Sequence, residues 1–168
     1  IVASLVGSEM CIRDRDKVTQ RRKSVGPACA KRLTKVMEFT ELEDWVSAEK
    51  LLTDSLKTGT NRGCRPGFEH SQINRYLGYI YYAQDKIELA IEAYMSVVNE
   101  PEADPQQRID TRYTAAQLLF VTERYLAAVE QLEIWQSEAT IVDPGGRVLL
   151  ARGYYQLERK KEALTLLE

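Results

Sequence analysis

YLGYIYYAQDKIELAIEAYMSVV, residues 76–98, decides how the chain is read. Its apolar side chains recur three and four residues apart in two runs, one through Leu77 and Tyr81 and one through Ala90 and Tyr94, which predicts a pair of helices. The alanine of the second run returns along the chain: Ala48 in WVSAEKLL, Ala90 in IELAIEAY, Ala128 in YLAAVEQL and Ala163 in KKEALTLL, at intervals of 42, 38 and 35 residues. So small a side chain lets the second helix of each pair approach the first closely. Leu52, Tyr94, Leu132 and Leu167, four residues on, share its face and fill the space between pairs. Strand-like alternation is almost absent after residue 27. The expected fold is all-α, an array of four antiparallel helix hairpins at about residues 27–57, 70–100, 108–138 and 144–168. Long links, KTGTNRGCRPGFE at 57–69 and NEPEADPQQ at 99–107, stretch the intervals.

The two ends read differently from this body. SLVGSEMCIRDR at residues 4–15 resembles the in-frame translation of a sequencing adapter, so 1–15 is expected to be a non-native leader and 16–26 a flexible lead-in. A genuine basic-tailed leader is the alternative, although it lacks a small-residue cleavage site. At the other end Glu168 falls inside the second helix of the fourth unit with no polar capping helix after it, the pattern expected of a C-terminally truncated piece of a longer array.

The 168 residues carry 23 Lys+Arg against 25 Asp+Glu, a formal charge of −2, and a single histidine. This balance has no broad basic footprint for nucleic acid, and apolar runs such as residues 118–121 are too short to span a bilayer. With no HExxH and no paired CxxC, a metal site or histidine-driven acid–base centre would rest on His70 alone, so neither a metal nor a cofactor is expected. Gly59, Gly63 and Gly67 precede no Lys-Ser/Thr and follow no strand, which makes them a link and not a phosphate cradle. The acidic groups Glu41, Glu43, Asp44 and Glu100, Glu102 read as solvated turns. No residue is assigned to catalysis.

Residues 76–98 resemble the tetratricopeptide repeat (TPR), with Leu77, Gly78, Tyr81, Ala90 and Tyr94 at its signature places. Ala116 and Leu119, then Ala151 and Tyr154, match in the later first helices, and Val36 and Phe39 stand there in the first unit. The early Trp of the repeat is replaced throughout, by Arg32, Asn74, Arg112 and Arg147. The resemblance implies a right-handed superhelix. RRKSVG, NRYLGYIYYAQDKIELAIEAY, TRYTAAQLLFVTERYLAAVEQLEIW and LLARGYYQLERKKEAL together resemble, more narrowly, the TPR proteins found beside ExbB, ExbD and TonB in proteobacterial energy-transduction operons. That likeness implies a periplasmic scaffold touching other proteins, with a cytoplasmic location as the alternative.

First helices line the concave face of a TPR superhelix. The groove residues are then Arg75, Tyr79 and Tyr82, next Tyr113, Gln117 and Phe120, and last Arg152 and Tyr155. Rigid rings separated by a few polar groups suit an extended or proline-rich peptide, with Arg75 and Arg152 available to carbonyls or a carboxylate. Tyr82, Phe120 and Tyr155 read equally well as packing between helices. The Lys/Asn clamp for a terminal carboxylate is absent, since Leu33, Met37, Arg75, Tyr79 and Thr114 stand at the corresponding places. Two other roles remain open: self-association through the uncovered terminal face, with the oligomeric state undetermined, and thiol redox chemistry at Cys64 flanked by Arg62 and Arg65. An antiparallel first hairpin would bring Cys29 and Cys64 near one another. They read as a disulfide closing about 35 residues, or, the simpler reading for a mobile link, as two unpaired thiols.

Overall fold

Three helices begin where a proline at the first helical position follows a residue in extended conformation, since proline's missing N–H has no helical partner there in any case. Asp104 and Asp143 also cap such starts by accepting from the backbone N–H of Gln107 and Gly146, and Asp44 does the same for Ser47. The structure, a computed structural model, describes residues 23–57, 63–140 and 143–167. Among these are eight helices and no strand: α1 Pro27–Glu41, α2 Trp45–Leu56, α3 Phe68–Ala83, α4 Ile87–Val98, α5 Pro105–Val121, α6 Tyr125–Glu138, α7 Pro144–Gln156 and α8 Lys160–Leu167. The adapter-like leader, most of the expected lead-in, Gly59, Arg62 and Glu168 lie outside the described residues. None of these helices is long and apolar enough to cross a membrane.

Two helices start earlier than the sequence pattern predicts. The third unit opens at Pro105 and not near 108, because the Asp104 cap and Pro105 recruit the end of the 99–107 link into the helix. The second opens at Phe68 and not at 70, after Gly67 turns the chain at φ 81, a left-handed conformation that favours glycine.

Every hairpin turns in the same way. Glu43, Asp85, Glu123 and Glu158 hold φ between 56 and 60, and their spacing repeats that of the alanines. The next residue then returns a backbone hydrogen bond to the carbonyl five residues before it: Asp44 to Phe39, Lys86 to Tyr81, Arg124 to Leu119 and Arg159 to Tyr154, at 2.8–2.9 Å. This is the Schellman closure of a helix end, made by an acidic residue where glycine is usual.

Ala48, Ala90, Ala128 and Ala163 are all buried at the helix crossings. A Cβ added at Gly78 would collide with the ring of Tyr94, so close approach and not backbone freedom requires that glycine. Arginines at three of the positions where the repeat usually has Trp span their own hairpins by hydrogen bonds: Arg32 donates to Ser55 Oγ, Arg112 to Gln131 Oε1, and Arg147 to the Leu166 carbonyl. Contacts run between helices adjacent in the chain, with thinner ones from α1 to α3 and from α5 to α7. Three successive cores result, around Leu52 and Ile73, around Tyr94 and Leu119, and around Leu132 and Leu150. Leu164 and Leu167 on α8 are 64% and 60% exposed, whereas Val129 and Leu132, the same repeat positions on α6, are 1% and 0% exposed beneath α7.

Candidate peptide-binding groove

The side of α3 next to α5 carries the densest set of expected groove residues. Arg75 is exposed, with its guanidinium 5.8 Å from the Tyr76 ring centroid and no carboxylate within ion-pair distance among the described residues. Tyr79 is half exposed and meets Trp45, the first residue of α2, edge to face at 6.1 Å, which steadies the ring from the preceding repeat. Beneath them Tyr94 lies against Gly78, and its burial pushes the phenol pKa up. Together with Asp110, Thr111 and Thr114 of α5, these side chains enclose a hollow of about 330 Å³. The Asp110 carboxylate is exposed and accepts only from Gln106 Nε2, at 2.9 Å, among the described residues.

The other expected residues divide. Tyr82 and Gln117 are exposed on α3 and α5. Phe120 is half buried, edge to face with Tyr125 at 5.1 Å, and the Arg152 guanidinium stands 5.2 Å from its ring. Tyr113 stacks on Trp135 of α6 at 4.8 Å and so belongs largely to the packing within the third hairpin. Arg152 and Tyr155 line a second, apolar hollow of about 440 Å³ with Val148, Leu164 and Leu167, on the face that α8 leaves open. Tyr76, Asp110 and Thr111 are wall residues that sequence reasoning missed. The 38-residue interval sets Thr114 at the register of Tyr76, but it sets Asp110 and Thr111 at the registers of the buried Gln72 and Ile73, so the repeat carries no signal for those two.

A separate cluster ties the first three helices together. Of the two readings of Cys29 and Cys64, the structure has the bonded one, with Cα atoms 4.9 Å apart and both residues buried. Cys64 therefore presents no thiol, and Arg65 turns its guanidinium to Glu69. The buried Glu69 carboxylate, in the first turn of α3, accepts from the backbone N–H of Gly26 at 2.9 Å and of Arg65 at 2.6 Å, as well as from the Arg65 side chain at 2.8 and 3.1 Å. Burial would raise its pKa, but these hydrogen bonds and the Arg65 charge outweigh burial and hold it below the ordinary glutamate value. His70 Nε2 is 2.9 Å from the Cys64 carbonyl. The sulfurs and the Glu69 carboxylate approach within 4.8 Å of one another, yet the sulfurs are spent on each other and the carboxylate on four donors. The cluster is a structural tie.

No protein-family model matches the chain. No functionally curated protein matches it either. Among solved structures it is similar to a Podosopora anserina putative kinesin light chain with nearly identical TPR-like repeats, at 19% identity and a TM-score of 0.56 over 83% of this chain and 71% of that one. A point-substituted form of that protein aligns at 20% identity and a TM-score of 0.60, over 89% of this chain and 76% of that one. At such identities the likeness concerns the fold alone. The chain is a TPR-like α-solenoid, a right-handed superhelical array of antiparallel helix hairpins. Stacking repeats of this kind creates an extended concave surface.

Proposed function

We propose that this chain is a non-catalytic scaffold whose concave face takes an extended peptide from a partner protein. One observation carries the reading: Arg75, Tyr79 and Tyr82 stand exposed on α3 beside a hollow shared with α5, and the guanidinium has no carboxylate partner there. Flat rings held by packing and a free guanidinium suit a segment with little chain entropy left to lose, and a proline-rich stretch is such a segment. The finer proposal is a periplasmic place in a TonB-type energy-transduction assembly. It rests on the likeness of the RRKSVG, NRYLGYIYYAQDKIELAIEAY and later stretches, and the Cys29–Cys64 bond suits an oxidising compartment. No cofactor or metal is required by this reading.

Fluorescence anisotropy with a labelled proline-rich peptide tests it. Replacing Tyr79, Tyr82, Phe120 and Tyr155 together by Ala is expected to weaken binding by about tenfold or more. Unchanged affinity in a variant that retains its helical circular dichroism overturns the groove reading.

A second reading, self-association of two copies through the α7–α8 face, is supported by the exposure of Leu164 and Leu167 where the same repeat positions are elsewhere covered. The outer side of α1 is exposed through Lys31, Lys35 and Glu38, which disfavours head-to-tail stacking and leaves a two-fold pairing of like faces. Light scattering would then report a dimer mass that Leu164→Glu with Leu167→Glu reduces to the monomer. A monomer mass in the unaltered chain sinks this reading.

A further inference from the structure

The hollow between α3 and α5 holds two opposite charges that do not meet. Arg75 stands on its α3 wall and Asp110 on its α5 wall, both exposed, and no ion pair joins them among the described residues. The rest of the lining is phenol and hydroxyl: Tyr76, Tyr79, Tyr94, Thr111 and Thr114. The Thr114 hydroxyl is given to the Asp110 main-chain carbonyl at 3.2 Å, and the Asp110 carboxylate accepts only from Gln106 Nε2 among the described residues, so it keeps acceptor capacity.

An acidic side chain entering this space would satisfy Arg75 but meet the Asp110 charge, and a basic one would do the reverse. An apolar one would desolvate both charges with nothing in return. A primary amide satisfies both walls at once, because its carbonyl accepts from a guanidinium while its NH₂ donates to a carboxylate, and its flat group can lie against the tyrosine rings. Resting on the groove reading above, we propose that this hollow is a pocket for an asparagine or glutamine side chain of the bound peptide. Arg75 and Asp110 are its specificity-determining residues.

Selection of a random displayed-peptide library on the intact chain tests the pocket, followed by binding measurements on the best recovered peptide and on versions with the candidate position changed to Glu or Lys. The expected result is enrichment of Asn or Gln at one position, with about tenfold weaker binding for both changed peptides. Arg75→Asp should move the preference to Lys and Asp110→Arg should move it to Glu. The double variant, Arg75→Asp with Asp110→Arg, should restore the amide preference because an amide can bind in either orientation. Both positions are exposed, and thermal melts of the variants establish that they fold. Recovered peptides that carry an acidic, basic or apolar residue at that position, or a preference that ignores the single reversals, overturn the amide pocket and leave the groove standing. Recovery of no binding peptide overturns both.

Discussion

The first joint of the array and its last hairpin are built from the same repeat and held very differently. Around α1, α2 and α3 a disulfide, a buried carboxylate with four donors and a core centred on Leu52 and Ile73 act on one another's neighbours. Among the described residues the α7–α8 hairpin packs on one side only, against α6 and more thinly α5, and leaves Leu164 and Leu167 exposed. In a solenoid each repeat is stabilised by its neighbours. One residue type at one repeat position can therefore be core in one unit and surface in another. The difference is one of neighbours and not of local sequence.

That contrast can be broken by experiment. The largest effect is expected at the first joint: replacing both Cys29 and Cys64 by Ala should remove about 4 kcal/mol, the chain-entropy value for a loop of 35 residues. Hydrogen exchange should then show α1 and α2 opening first with α7 and α8 unchanged, and a uniform loss of protection would dissolve the contrast. Next comes a matched pair. Leu132→Ala should cost about 3 kcal/mol by chemical denaturation, whereas Leu167→Ala, at the same repeat position, should cost less than about 0.5 kcal/mol.

Smaller again is the Glu69 tie. Glu69→Gln should cost about 1–2 kcal/mol at neutral pH. Because the folded carboxyl titrates below its ordinary value of 4.5, its stabilisation is complete above that value and is lost as pH falls through the folded-state value beneath it. Stability curves of the two proteins should converge in acid, and a gap that persists there would show that the carboxylate charge is not what holds the joint. One further effect should be the same at both ends. Glu43→Gly and Glu158→Gly each relieve a left-handed backbone and should each gain about 0.5–1 kcal/mol, read as a rise in Tm, because the turn is local and indifferent to burial.

The alanine at each crossing was legible because a close approach admits only a small side chain, and the four alanines mark four hairpins whatever lies between them. The acidic residues of the turns, Glu43, Asp85, Glu123 and Glu158, repeat at the same intervals, yet only Glu43 reads from sequence as part of a turn and the recurrence is missed. A left-handed turn is ordinarily signalled by glycine or asparagine, and an acid there looks like any solvated charge. The start of the third unit carries the same Asp-Pro signal, Asp104 and Pro105, as Asp143 and Pro144 in the fourth, but it lies inside the polar link 99–107 and is easily read as part of it. Of the groove, Arg75 and Tyr79 could be placed from register, but the α5 wall could not. Whether Asp110 pairs with Arg75 or stands apart from it depends on how far two helices separate, which no periodicity encodes. Tyr113 occupied the right register and was taken up by Trp135, a partner from another helix.

The chain can also be considered under load. Helices that touch mainly their neighbours in sequence should give way to tension hairpin by hairpin, so the array behaves as a series of links rather than a single block. The Cys29–Cys64 bond sets how far it can lengthen. It keeps the 35-residue separation as a closed loop and withholds on the order of 120 Å of contour from a chain pulled by its ends, until a reductant releases it.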